Sequence, residues 1–326
     1  MTEIEIGNLK VSSGESAKGK IQVTNSPGGT EVSMPLIVVN GAEDGPVLWL
    51  NGSIHGDEPQ GPLAIQSLCN RIDPEELSGA VVGVPIMNVP AFESASRGNP
   101  DDPYAWDMNR IYPGNHDGRL TERIAATHRD EMAGLADMEI SIHSGGHHSY
   151  LETCMFAPDS SLELAKAMGP EWDVVLKAAR PSGSPMAVLY EQGKQSITIE
   201  QGGNSSLKPD EVDNDITLIT DGFLNVMKHF KIIEGTPEYA GEWRRGEQEA
   251  LYANKSGLWL PEPEFRLHEQ VEEGTLVGKI LDPYGEVLEE VRTPCDGEAF
   301  GVRSLTSVQT GGWVLFFAKI QETLTE

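Results

Sequence analysis

The sequence predicts an α/β protein, with a mixed central sheet carrying helices on both faces and a small all-β domain at its C-terminal end. Three observations carry this. Continuous apolar runs at Val47–Leu50, Ala80–Val84 and Met138–Ile142 read as strands buried on both faces. Helical stretches lie between them, from Gly61 to Asn70 behind Pro59 and from Leu120 to Met132 behind the turn region 114–118. Past Glu234-Gly235-Thr236-Pro237 the texture changes to short β-like pieces rich in Gly and Pro. The expected division is therefore 1–235 and 236–326, with 1–30 as an antiparallel β edge.

Each element has its own signal. The first thirty residues mix Gly, Ser and charge with alternating runs such as Lys20-Ile21-Gln22-Val23, the pattern of short antiparallel strands. The apolar run that begins at Ala80 is expected to resume as a strand over Ile86–Val89. In the first helices, Ile124 and His128 fall at helical spacing behind Thr121-Glu122-Arg123. Ser196–Glu200 is a β-rich run ending at Gly202-Gly203. Pro209 then opens a long helix with Ile216, Ile219, Phe223, Val226, Met227 and Phe230 on one stripe, which reads as core. In the tail, Glu272–Gly278 followed by Pro294–Glu298 resembles lipoyl- or biotinyl-carrier domains. Such domains present a modifiable Lys at a hairpin, and Tyr284–Val291 contains none, so that likeness implies shape only.

The chain has 326 residues, 51 acidic and 24 basic side chains, and a formal charge of -27. Such a field repels phosphate backbones and anionic lipid, which disfavours nucleic-acid and membrane partners. No apolar stretch approaches the ~20 residues of a membrane span. Met1–Glu5 lacks a basic segment ahead of an apolar one, and the expected location is the cytoplasm. Cys69, Cys154 and Cys295 match neither a disulfide framework nor a CxxC metal spacing, and read as reduced thiols.

The chemistry-bearing residues sit where strands end, the edge at which open α/β sheets bind ligands. His55-Gly56-Asp57-Glu58 follows the run Val47–Leu50, and His143 closes the run Glu139–Ile142. Alone, His55 and Glu58 could be a hydrogen-bonded loop pair, and His143 a satisfied strand-end histidine. Together, two imidazoles and one carboxylate make the three-ligand set of a catalytic zinc with a position left for water. Asp57 is a candidate acceptor for the ring of His55. His147 and His148 fit loop or wall roles better than ligation.

Asn109 and Arg110, in Asp107-Met108-Asn109-Arg110, suit a substrate carboxylate, although an Arg110–Asp107 surface pair is the plain alternative. Arg97 is a candidate to face a carbonyl oxygen as charge builds there. Glu200 precedes Gly202-Gly203 and could be a solvated acid, but a hydrolase that activates water needs such a carboxylate. No GxSxG nucleophile elbow is present.

Taken in order, HGDE, Arg97, DMNR, IHSGG and ITIEQGG resemble the succinylglutamate desuccinylase/aspartoacylase family, relatives of the zinc carboxypeptidases, over approximately residues 30–325. The resemblance implies a zinc carboxypeptidase-like fold and one Zn²⁺ per chain held by His55, Glu58 and His143. It implies that Arg97 polarises the scissile carbonyl, that Asn109 and Arg110 hold the substrate carboxylate, and that Glu200 is general base, then acid. The loop His143-Ser144-Gly145-Gly146 with its two following histidines looks closer to the N-acetyl-diaminobutyrate deacetylase branch than to the two founding activities. The expected reaction is hydrolysis of the amide bond of a small N-acyl amino acid or related compound. Homo-oligomers are compatible with it, and a peptide-cleaving carboxypeptidase or a non-catalytic metal or metabolite binder are the rivals.

Overall fold

The computed structural model describes residues 3–104, 106–203 and 209–325. A hairpin of β1 (Glu3–Ile6) and β2 (Leu9–Ser12) leads into β3 (Glu15–Asn25), β4 (Glu31–Asn40) and β5 (Glu43–Asn51). There follow α1 (Gln60–Arg71), β6 (Ser78–Val84), α2 (Val89–Glu93), α3 (Leu120–Leu135) and β7 (Met138–His143). Next come β8 (Ser149–Ala157), α4 (Leu162–Lys166), β9 (Val174–Lys177), α5 (Pro185–Glu191), β10 (Gln195–Gly203) and α6 (Pro209–His229). The tail holds β11 (Glu242–Tyr252), β12 (Gly257–Pro261), β13 (Gln270–Val271), β14 (Leu276–Leu281), β15 (Val287–Arg292), β16 (Gly297–Arg303), β17 (Ser307–Val308) and β18 (Trp313–Thr325).

Among the described residues, twelve strands form one sheet in the order β13-β16-β18-β11-β9-β8-β10-β7-β5-β6-β4-β3. Its centre, β6, β5, β7 and β10, is parallel, and antiparallel strands flank it. Alternation through the pleat explains the continuous apolar runs. Leu48 and Leu50 face a core shared with Ile65 and Leu68 of α1 and with Ile219, Phe223, Val226 and Met227 of α6. Val47 and Trp49 face the opposite core with Ile124 and Met132 of α3 and Leu189 of α5. Both faces are thus covered, as the runs require.

The tail does not stand off from this sheet. β16 pairs with β18 and also with β8, so that β8, β9, β11, β18 and β16 close on themselves as a five-stranded barrel. Cys154, Val174, Leu176, Phe300 and Ala318 fill its inner face. The outer face of β11 and β18 packs Leu251, Leu315 and Phe317 against Trp259, Val277 and Ile280 of the separate four-stranded sheet β15-β14-β12-β17. Hydrogen bonding therefore runs unbroken across residue 236. One expected strand is corrected: after β6, Ile86 lies in a loop and Val89 begins α2, because Pro85 and Pro90 bracket the segment and break any ladder there. The three cysteines are unbridged.

Beneath the sheet centre a buried polar chain links four elements. Trp49 Nε1 donates to Asn51 Oδ1 at 2.7 Å, and His128 Nε2 donates to the same oxygen at 2.7 Å. His128 Nδ1 is thereby left to accept from the Tyr112 hydroxyl at 2.9 Å, and burial holds this imidazole neutral with its pKa near 3. Asn51 Nδ2 donates to Glu139 Oε1 at 2.6 Å, and Ser196 donates to the other oxygen. Burial still outweighs these bonds and raises the Glu139 carboxyl from 4.5 to about 7.

A folded-state pKa above the unfolded one adds stability that is complete below pH 4.5 and is lost as pH rises through about 7. Glu139→Gln removes that dependence. From pH 5 to 7.5 the variant should gain on the wild type by up to about 3 kcal/mol in urea unfolding. Parallel stability profiles would contradict the assignment.

Candidate active site

Because β5, β7 and β10 run parallel, their C-terminal ends share an edge, and the three metal-capable side chains and Glu200 gather there. Past β5 the chain turns through Ser53, at φ 45°, into the loop that carries His55. Gly56 is required by packing: a Cβ there would lie 2.0 Å from the Ala91 carbonyl carbon of α2. His55 Nδ1 lies 2.8 Å from Glu58 Oε1, and His143 Nδ1 lies 2.9 Å from Glu58 Oε2. The two Nδ1 atoms are 3.2 Å apart, and all three side chains are about 2–3% exposed. One donor atom from each falls within 4.8 Å of the others, a group able to hold a metal ion. Burial alone would raise the Glu58 carboxyl, but the His55 and His143 charges outweigh it and hold it well below the usual carboxylate range.

The partner of the His55 ring is Asp107, not Asp57. Asp107 Oδ1 lies 3.0 Å from His55 Nε2 and also accepts the Asn109 backbone N–H. Its Oδ2 accepts from Arg97 Nη2 at 3.0 Å and Nε at 3.3 Å. One carboxylate thus fixes the imidazole's donor face and aims the guanidinium. Burial opposes its charge, yet the His55 hydrogen bond and charge, then Arg97 and Arg110, hold it far below the ordinary range. Asp57 is turned the other way: its Oδ2 accepts the His147 backbone N–H at 2.9 Å. The Arg110–Asp107 pair is replaced as well, since Arg97 takes Asp107 and Arg110 Nη1 donates to Asn109 O at 2.8 Å.

His55, Asp57, Glu58, Arg97 and His143 line a cavity of about 690 Å³ that also takes in Glu200, Asn109 and Arg110. Glu200 stands beside His143 in the β10–β7 register. Burial, then the charge of Glu58, pushes its carboxyl well above the usual range, against the pull of Arg97 and Arg110. Neither Glu200 Oε2 nor Asn109 Oδ1 reaches a hydrogen-bond partner among the described residues. His148 lines the cavity, and His147 binds the Ala95 carbonyl at 2.7 Å. All seven site residues predicted from sequence therefore meet at this cavity. Sequence reading missed the role of Asp107 and the wall formed by Leu151, Phe156, Gln248, Trp313 and Phe316. The first had a signal in its adjacency to Asn109 and Arg110; the wall had none.

The succinylglutamate desuccinylase/aspartoacylase catalytic domain matches residues 44–227, more than half of the sequence. The chain belongs to this family. The N-alpha-acetyl-L-2,4-diaminobutyric acid deacetylase of Halomonas elongata is 28% identical over 97% of this chain and 91% of its own length. A succinylglutamate desuccinylase/aspartoacylase structure from Rhodobacter sphaeroides superposes with a TM-score of 0.82 at 25% identity, covering 94% of this chain and 96% of that one. The product-bound ectoine utilization protein EutE of Ruegeria pomeroyi has the same fold, with a TM-score of 0.82 at 24% identity and coverage of 93% and 94%. Among the described residues of this family member, no helix is long and apolar enough to cross a membrane.

The Asp107 contacts make a quantitative prediction. If the His55, Glu58 and His143 group holds a divalent metal ion, Asp107→Ala should weaken the metal affinity by roughly 10–100-fold, read by competition with a chromogenic chelator. An unchanged affinity would show that His55 needs no such partner.

Proposed function

We propose that the protein is a zinc-dependent amidohydrolase that removes the acyl group from a small N-acyl amino acid. The observation that carries this reading is the buried convergence of His55 Nδ1, Glu58 and His143 Nδ1, with Glu200 and Arg97 on the same cavity. The family and the deacetylase relative support amide hydrolysis of this kind.

The donor set fits zinc: two neutral-capable imidazoles and one carboxylate leave a fourth position open. When bound, zinc supplies Lewis acidity toward the scissile carbonyl and lowers the pKa of water toward ~7, and its charge offsets the burial that raises Glu200. Glu200 accepts the proton as water attacks, then returns it to the leaving amine. Arg97, aimed by Asp107, faces the oxygen on which negative charge develops. Asn109 and Arg110 hold the carboxylate of the amino-acid half and so fix which amide presents itself.

The test is amine release from N-acetyl, N-succinyl and N-formyl amino acids and from short peptides, with zinc-loaded protein and with a chelator. Chelator-sensitive cleavage of an N-acyl amino acid is expected. Cleavage of peptides alone would make it a carboxypeptidase, and no cleavage of either would end the enzyme reading.

A further inference from the structure

Arg110 is carried differently from the rest of the site. His55, Glu58, His143 and Glu200 follow or end strands of the sheet centre. Arg110 lies in the connection between α2 and α3, where a 3₁₀ turn over Met108–Arg110 is the one helical piece among the described residues. Such connections are the mobile parts of a fold unless something anchors them. A group that grips the substrate carboxylate must nevertheless keep its distance from the reacting amide, since a misplacement of about 1 Å can cost on the order of 10²-fold.

The anchor is the buried polar chain beneath the sheet centre. Three of its members stand four residues before a site residue: Asn51 before His55, Glu139 before His143 and Ser196 before Glu200. A fourth, Tyr112, stands two residues after Arg110. The chain has a fixed direction. An indole N–H can only donate, so the Asn51 atom that Trp49 meets at 2.7 Å is the carbonyl oxygen. His128 Nε2, 2.7 Å from that oxygen, must then carry the proton, and Nδ1 accepts from the Tyr112 hydroxyl at 2.9 Å. The backbone N–H of Tyr112 donates to Gly183 O at 3.1 Å. Gly183 leaves room for this approach, because a Cβ there would lie 2.8 Å from the Arg110 carbonyl oxygen. Tyr112 thus ties the Arg110 segment to β5 and to the cavity wall at Ser182 and Ser184.

We propose that Tyr112 is a positioning residue: its hydroxyl, bound through His128 to Asn51 of β5, sets where Arg110 stands relative to the His55–Glu58–His143 centre. This rests on the deacylase reading, in which Arg110 takes the substrate carboxylate. It adds the device that fixes the reach from that carboxylate to the scissile amide.

Tyr112→Phe keeps the ring and removes the bond. Native-state hydrogen exchange should quicken about three- to tenfold in the backbone amides of 109–112 and stay unchanged in β5 and β7. On the N-acyl amino acid cleaved fastest in the amine-release screen, kcat/KM should fall about three- to tenfold, mainly through KM. On the α-carboxamide of the same compound the fall should be less than about twofold, because Arg110 has no carboxylate to grip. In an Arg110→Gln background Tyr112→Phe should have no further effect on the acid. Tyr112→Phe/His128→Leu is the control for folding. With both partners apolar no buried acceptor is orphaned, so urea stability should recover while the fast exchange and the altered acid-to-carboxamide ratio remain.

Exchange that is unchanged at 109–112, or that rises equally in β5 and β7, would make Tyr112 a core residue and overturn the proposal. So would an equal loss on acid and carboxamide, a full loss in the Arg110→Gln background, or recovery of stability and ratio together in the double variant. If no compound in the screen is cleaved, the deacylase reading falls, and exchange alone decides whether Tyr112 anchors the segment.

Discussion

Glu200→Gln is expected to keep its zinc and lose roughly 10²–10⁴-fold in turnover on an N-acyl amino acid. The substitution preserves shape and the β10 register beside His143 but removes the group that carries the proton. Glu200 suits that duty for two reasons visible together. Its Oε2 is shielded and without a partner among the described residues, and its proton affinity is raised by burial and by the charge of Glu58. A solvated acid would show neither. The measurements are metal content and steady-state kcat on the same preparation. Wild-type turnover would remove Glu200 from the reaction, and loss of zinc would make it part of the metal site.

The second large effect belongs to Glu58→Ala. This carboxylate spans both imidazoles, one oxygen to each, so its loss removes a donor and the group that gathers the other two. The expected outcome is a fall in zinc affinity greater than the 10–100-fold that loss of an outer partner costs, with turnover at background. Equilibrium dialysis against zinc reads the affinity, with circular dichroism as the folding control. Stoichiometric zinc at wild-type affinity would refute the ligand role.

That these side chains gather at one edge was legible in the sequence. His55, Glu58, His143 and Glu200 lie next to strand ends, and parallel neighbours must deliver such ends to one edge. Alternation did the same for the sheet centre, where Leu48 and Trp49 point to opposite cores. Contacts set by long-range chain path were not legible. Asp107 reaches His55 across 52 residues; its adjacency to Asn109 and Arg110 marks it as near the site, but not as the ring's partner in place of Asp57, which stands two positions from His55. The barrel depends on β16 pairing with β8, which brings Gly301 beside Leu151. A tail read as short β pieces therefore gave no sign that Trp313 and Phe316 would wall the cavity. Ile86–Val89 was misread because apolar content outvoted the flanking prolines.

In the proposed enzyme, two imidazoles and one carboxylate meet at a single ion. X-ray absorption at the zinc edge, on protein loaded with one equivalent, tests this most directly. Scattering from two imidazole rings plus oxygen, falling to one ring in His143→Ala, is the predicted result. A sulfur shell, or a spectrum that His143→Ala leaves unchanged, would contradict it.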